Sequence, residues 1–498
     1  MKLLASLLIL AAVAPMGSVC RAQTAATWLL PGDGRYDEPA NWSTGQVPGA
    51  SCCTSTTAEF DAVNQADVYL PSGGTFTPDG IKVTDSKVSL TKLTGAAEST
   101  VAVTQDLLID DGGMLGVGDE LRLDSPQTRI GVGSTATELS LFAGAVGDLG
   151  SVSIGGDGVT GADSSMIVWP GAEVGMGPLT VGENSADGQA SILQVEGQLT
   201  QSPGSSTKVG GGLGVSRVFV RASGELQLAG PVEVFSMGGF VNAGGSVTFA
   251  GDVDLLGGTQ AYRETPGSGA ARAFAANSSI TVGEGSVAAF DSAPLLLNDG
   301  HTLVLSGEVE ARGDVVTASG TDLVVRLDQQ RSSPALDAQG QVTLGGGLTV
   351  EWPEASPDPT PGASWRLIAA AGGLGGQFDS VALPWAAGVS WQLDYEPDGV
   401  RLTALAAAVG DYNSDGVVDA ADYTVWRDTL GSGLALNADG DGSGMVDIGD
   451  YLTWRSAMQA AAATGASAAP EPAAVMMAAI AMLLPSWGFL VDRSPGRA

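Results

Sequence analysis

Leu193-Gln194-Val195-Glu196-Gly197-Gln198-Leu199 reads as a strand, a glycine turn and a second strand. Val218-Phe219-Val220-Arg221-Ala222-Ser223-Gly224-Glu225-Leu226-Gln227-Leu228 reads the same way, with its glycine 27 positions further on. Apolar residues alternate in both, which puts one face of each strand inside and the other outside. An aliphatic residue followed by glycine repeats on the same scale. Ile130-Gly131, Ile154-Gly155, Val181-Gly182 and Val209-Gly210 lie 24, 27 and 28 residues apart. A period in this range marks a solenoid, because one coil cannot bury its own apolar face and stacking closes the core. Glycine is expected at the corners, where the chain turns with positive φ. Residues 23–405 carry this alternation and no helical periodicity. The expected fold class is therefore mainly β, a right-handed parallel β-helix, with a series of β-sandwiches as the competing architecture.

Composition bounds the function. The chain has 498 residues, 55 acidic against 22 basic, for a net charge of -33. Such a surface repels nucleic acid and attracts divalent cations, and it also serves solubility in a salty medium. Glycine supplies 72 positions, about twice the usual share, which suits many short strands and tight turns. The single histidine, His301, argues against His-based triads and His-ligated zinc. Its setting, Asn298-Asp299-Gly300-His301, reads as a turn, and no functional role is expected of it. Cys20, Cys52 and Cys53 form neither a disulfide framework nor a metal signature. The adjacent Cys52 and Cys53 are equally compatible with a vicinal disulfide and with two free thiols.

Both ends read as addresses. Met1-Lys2, the apolar run Leu3 to Val13 and Cys20-Arg21-Ala22 form a signal peptide over residues 1–22, with cleavage expected after Ala22 and a lipoprotein signal at Cys20 as the weaker reading. At the other end, an Ala/Thr/Gly/Ser linker (461–469) leads to Pro470-Glu471-Pro472. An uncharged apolar run from Ala473 to Val491 follows, long enough to span a bilayer, and then Arg493 and Arg497. Residues 470–498 thus resemble a PEP-CTERM sorting tail. The resemblance implies recognition of Pro470, Glu471 and Pro472 by an exosortase-type membrane protease. A plain C-terminal transmembrane anchor is the alternative. Either way the protein is expected to be secreted to the cell envelope or surface.

The start of the body has its own texture: Trp28, Asn41-Trp42, Val47-Pro48 and Ala58-Glu59-Phe60. It resembles the N-terminal cap of bacterial surface proteins with autotransporter-associated β-strand repeats. The run Gly340 to Val350, then Trp365 to Ile368, Gly376-Gln377-Phe378, Leu383-Pro384 and Trp391, is similar to the closing strands of autotransporter-like β-helices. No transmembrane β-barrel pattern follows it, so self-secretion is not implied. Within the body no acidic cluster stands out at a fixed spacing. Trp169, Trp352, Trp365, Trp385 and Trp391 are of a type that stacks on sugars, but core or cap positions are the expectation for them. Pro353 to Pro361 reads as a loop.

Residues 406–460 hold two loops in register. Asp411, Asn413, Asp415, Asp419 and Asp422 place side-chain oxygens at positions 1, 3, 5, 9 and 12 of a twelve-residue loop, with Gly416 at position 6 and the backbone carbonyl of Val417 at position 7. Asp439, Asp441, Ser443, Asp447 and Asp450, with Gly444 and the carbonyl of Met445, repeat the offsets 28 residues later. A hard cation needs six to eight oxygens, so this donor set predicts two Ca2+ ions. Tyr423-Thr424-Val425-Trp426-Arg427 is matched by Tyr451-Leu452-Thr453-Trp454-Arg455. Tyr423, Trp426 and Leu430, and likewise Tyr451, Trp454 and Met458, share a helical face and are expected to build a small common core.

Aspartate at position 12, with no evident helix before either loop, makes the pair resemble a type I dockerin. That implies a calcium-dependent fold and a cohesin domain as partner, often in assemblies that degrade polysaccharide. Where the family carries its recognition pair at positions 10 and 11, this chain has Ala420-Ala421 and Ile448-Gly449, which points to a divergent cohesin-like domain or to a purely structural calcium clip. The expected function is a non-catalytic surface structural or interaction protein, with extracellular polysaccharide as a further candidate partner. A dockerin-bearing polysaccharide lyase or glycosidase is the competing reading.

Overall fold

Strands one coil apart pair in parallel and build the body of the molecule. The computed structural model describes residues 24–466, apart from 51–55, 156–162 and positions 94, 96, 119, 132, 134, 292, 299, 328, 330, 354, 355 and 387. The expected signal peptide (1–22), Cys20, Cys52, Cys53, Pro470, Glu471, Pro472 and the apolar run 473–491 lie outside the described residues. Among the described residues no helix is long and apolar enough to cross a membrane. Two units divide the chain: residues 1–356, 365–384 and 394–401 form one, and residues 357–364, 385–393 and 402–498 the other.

The first unit is a right-handed parallel β-solenoid. One face is a 15-stranded sheet that starts with Thr24–Thr27 and ends with Ser380–Ala382. A second face starts with Gly34–Arg35. The third comes in two pieces: nine strands from Thr75–Phe76 to Ala271–Phe274, then four from Leu295–Leu297 to Leu374–Gly376.

The spacing seen in the sequence is the coil register. Ile130 pairs with Ile154, Ile154 with Val181, and Val181 with Val209. Leu193 and Val195 pair with Val218 and Val220, and Leu199 with Leu226. The aliphatic ladder, headed by Phe60, runs from Val83 through Ile109 to Val325 and Val350, buried throughout. Each such residue stabilises the stack by roughly 1.5–3 kcal/mol. Strands such as Ala190–Val195 alternate buried and half-buried positions. Their outer side chains are half covered by the same positions of neighbouring coils.

The four glycines that follow ladder residues (131, 155, 182 and 210) have φ of 86°, 95°, 71° and 89°, the left-handed turn expected at a corner. Gly197 and Gly224 differ from that expectation. Their φ is not positive; a Cβ at Gly197 would strike the carbonyl of Trp169, and one at Gly224 the carbonyl of Val195. At these two positions glycine is needed for close approach of adjacent coils.

The cap motif closes the N-terminal end. Trp28 and Trp42 meet edge to face at 5.1 Å, and both contact Phe60. Trp42 donates its indole N–H to the Tyr36 carbonyl (2.8 Å), and the Tyr36 hydroxyl donates to the Pro48 carbonyl (3.2 Å). The Asn41 amide holds the Arg35 carbonyl at 2.8 Å. His301 is in the expected turn but is not a surface residue: it is 3% exposed, with Nδ1 3.0 Å from the Asn298 carbonyl. A carbonyl only accepts, so Nδ1 carries the proton. The turn folds inward at the start of the strand Thr302–Leu305, which carries the ring with it.

Farther inside is a buried triad. Glu264 receives hydrogen bonds from Arg272 and from the Tyr262 hydroxyl, and the Arg272 guanidinium lies 4.5 Å from the Phe290 ring centre. Arg272 also donates to the carbonyls of Ala293 and Pro294 (3.2 and 3.0 Å). Those carbonyls precede the second piece of the third face, so the guanidinium bridges the place where strand pairing is interrupted.

The second unit contains helices α1 (Ala420–Thr429) and α2 (Ile448–Ala466). Helix α2 runs on into the segment read as a linker. Its composition there, rich in alanine, is the reason, since alanine has the best intrinsic helix propensity.

Candidate metal centre

Each loop closes on its own first aspartate. Asp411 accepts from the amides of Asp415 (3.2 Å) and Gly416 (2.9 Å), and Asp439 accepts from those of Ser443 (2.9 Å) and Gly444 (2.8 Å). Gly416 and Gly444 have φ of 86° and 84°, which permits the sharp reversal at position 6. The twelfth residues do the complementary work. Asp422 accepts from the amides of Tyr412, Asn413 and Asp419 (2.7, 3.0 and 2.8 Å), and Asp450 from those of Asp441 and Asp447 (3.1 and 2.8 Å). Both carboxylates are fully buried. A shorter aspartate at position 12 thus reaches across the loop because the loop wraps onto the helix that carries it.

Position 9 has a second task. Asp419 is the N-cap of α1, accepting from the Ala421 amide at 2.7 Å, and Asp422 completes a capping box. Asp447 accepts from the Gly449 amide at 2.7 Å in the same way. The caps fix where each helix starts, and so fix Asp422 and Asp450 in the loop.

The carboxylates converge most clearly in the second loop. Ligand oxygens of Asp439, Asp441 and Asp450 lie within 4.8 Å of one another. In the first loop Asn413 stands where Asp441 stands in the second, and its amide donates to Asp415 (2.8 Å). Burial, with Asp422 and Asp415 facing it, pushes the Asp411 carboxyl above its ordinary pKa, while the Gly416 and Asp415 amides oppose the rise. Residues 406–460 contain nine aspartates against Arg427 and Arg455. Arg427 pairs with its neighbour Asp428. Crowded, partly desolvated carboxylates with no cation of the chain among them fit a hard divalent ion, and an all-oxygen donor set fits Ca2+. The residues that would hold it are Asp411, Asn413, Asp415 and Asp422 with the Val417 carbonyl, and Asp439, Asp441, Ser443 and Asp450 with the Met445 carbonyl. Asp419 and Asp447 keep the positions of their loops while capping.

The two halves are cross-linked. The Trp426 indole donates to the Asp447 carbonyl at 2.7 Å, and the Trp454 indole donates to the Asp419 carbonyl at 2.8 Å. Each helix therefore holds the loop of the other. Tyr412, Trp426, Ala438, Val446 and Trp454 form the core between them, with Val418, Val425 and Tyr451 packed against it. The sequence expectation placed Leu430 and Met458 in that core. Both are surface residues instead, 54% and 37% exposed, and so is Tyr423 at 36%, although its ring lies against those of Trp426, Tyr451 and Trp454. Leu430 is the C-cap of α1, where the backbone has left the helical path. Core space is filled from the loops, by Ala438 and Val446.

The two halves also differ at position 2. The Tyr412 hydroxyl donates to the Asp450 carbonyl at 2.6 Å. Its equivalent 28 residues on is Gly440, where a Cβ would run into the Tyr412 ring and hydroxyl. Sequence reading missed this pair, although tyrosine at position 2 of one loop facing glycine at position 2 of the other is a visible signal.

No protein-family model matches the chain, and a search of curated proteins finds no match. The class that the fold defines is a parallel β-solenoid with a separate two-helix, two-loop unit.

Proposed function

We propose that this chain is a non-catalytic structural or interaction protein of the cell exterior: a β-solenoid joined in sequence to a calcium-dependent, dockerin-like module and a PEP-CTERM-type sorting tail. The observation that carries the reading is the duplicated loop pair, in which the aspartates at positions 1, 9 and 12 accept from equivalent amides at an offset of 28 and Trp426 and Trp454 tie the halves together. Two Ca2+ ions supply the charge that the aspartates lack. A divergent cohesin-like domain is the partner, because the side chains at positions 10 and 11 are Ala420-Ala421 and Ile448-Gly449. The tail, through Pro470, Glu471 and Pro472, addresses the chain to an exosortase-type protease.

Immobilised full chain should capture members of a cohesin-domain panel with Ca2+ and release them with a chelator. Capture indifferent to calcium would contradict the docking reading. Unchanged surface display after Glu471→Ala would remove the sorting role.

One observation favours the competing reading of a glycan-degrading enzyme. A groove of about 340 Å3 gathers Glu284, Glu308 and Arg331. Burial raises the Glu308 carboxyl above its ordinary pKa, with Glu310 and Asp337 adding to the rise and Ser333 and Arg331 opposing it. A raised carboxyl suits a general acid. Turnover of any glycan that Glu308→Gln abolishes would establish this reading in place of the first.

A further inference from the structure

The aliphatic ladder of the solenoid stops at Val350, and a cleft opens where it stops. In the next coil the strand Ser380–Ala382 pairs with Gly347, Leu348 and Thr349 but goes no further. Pro384 follows, and Pro353 leaves the preceding coil; neither has an N–H with which to continue a ladder. The result is a cavity of about 540 Å3 with buried Val350 as its floor and Trp352, Pro353 and Pro384 as its walls. That volume falls in the range of about 300–1,000 Å3 typical of small-ligand sites.

Among the described residues the polar rim is a single ion pair. Arg326 and Glu351 are register partners on adjacent strands, and Arg326 Nε meets Glu351 Oε2 at 2.7 Å. Their side chains are 50% and 47% exposed, so both present hydrogen-bonding atoms to solvent. Trp352 meets buried Trp365 edge to face at 5.4 Å and 72°. The indole is therefore set in orientation before any ligand arrives.

We infer that this cleft binds a neutral saccharide, with a pyranose ring against Trp352 and its hydroxyls on Arg326 and Glu351. The chemistry selects the class. An aromatic face is negative and attracts the polarised C–H groups of a sugar ring. Arginine only donates and glutamate only accepts, while a pair of neighbouring hydroxyls does both. Among the described lining residues the ion pair leaves no net charge, and a chain of net charge -33 repels polyanions. The site lies wholly in the solenoid unit and does not depend on the calcium reading.

The test is calorimetric titration of the full chain with neutral hexasaccharides of glucose, xylose and mannose, with hexagalacturonate as the acidic counterpart and a proline-rich decapeptide as the alternative occupant. A neutral hexasaccharide should bind. Trp352→Ala should weaken it about tenfold or more. Glu351→Gln, on a half-exposed pair whose loss costs the fold little, should weaken it measurably with an unchanged unfolding temperature. Absence of binding to every neutral probe, tighter binding of the galacturonate or the peptide, or affinity unchanged in Glu351→Gln and Trp352→Ala would each overturn the assignment.

Discussion

Trp426 donates its indole N–H to the backbone carbonyl of Asp447 at 2.7 Å, across from the loop that its own helix follows. The mirror bond from Trp454 to Asp419 makes the arrangement reciprocal. A tryptophan in one half thus sets the ninth position of the loop in the other, so on the proposed calcium reading metal binding at one loop would be coupled to the packing of its neighbour. Trp426→Phe removes one part-buried hydrogen bond, about 1 kcal/mol. It should weaken calcium at Asp439–Asp450 about fivefold and affect Asp411–Asp422 less. Calcium titrations of Trp426→Phe, each with one loop disabled by alanine at position 1, measure the two effects apart.

Gly440→Ala should perturb the module more than its small size suggests. The added methyl displaces Tyr412, breaking the 2.6 Å bond to the Asp450 carbonyl. Overpacking of this kind costs roughly 1–3 kcal/mol. Tyr412→Phe removes the bond without the collision and should cost about 1 kcal/mol. Calcium affinity of the second loop in the two variants reads the difference.

In the solenoid, Gly182→Ala and Gly188→Ala separate backbone strain from crowding. Both glycines have positive φ, 71° and 82°. Nothing lies within 4 Å of a Cβ at Gly188, whereas one at Gly182 strikes the buried Ser216 hydroxyl. Left-handed strain alone costs roughly 1–2 kcal/mol, and the collision adds about 1–3 kcal/mol. Thermal unfolding should rank Gly182→Ala well below Gly188→Ala. Equal midpoints would remove the crowding argument.

Arg272→Leu should be among the most damaging single changes in the body. It leaves Glu264, fully buried, without its cation, and strips the carbonyls of Ala293 and Pro294 of a donor. Breaking a buried pair from one side costs about 3–5 kcal/mol. Adding Glu264→Gln to Arg272→Leu should recover part of the loss, as measured by denaturant unfolding.

The legible parts of the sequence were those in which one physical cause repeats. The spacing of Ile130, Ile154, Val181 and Val209 is the coil register itself, because a solenoid buries the same position of every coil. The loop aspartates were legible for the same reason, as the 28-residue offset is both sequence repeat and structural repeat. Less was legible where a residue acts through something distant. Gly197 and Gly224 look like corner glycines but answer to backbone on the preceding coil. Leu430 shares a helical face with Trp426 in a wheel that assumes the helix continues, and α1 stops first. His301 sits in a turn, yet nothing local announces that this turn points inward. Tyr412 and the two cross-helix tryptophan bonds join residues 21 to 38 positions apart, which periodicity within one helix does not register.

The most direct measurement is the calcium stoichiometry of the full chain by isothermal titration calorimetry. Two ions should bind per chain, one should remain after Asp439→Ala, and none after Asp411→Ala is added. No binding by the parent chain, or two ions still bound by the double variant, would contradict the calcium module.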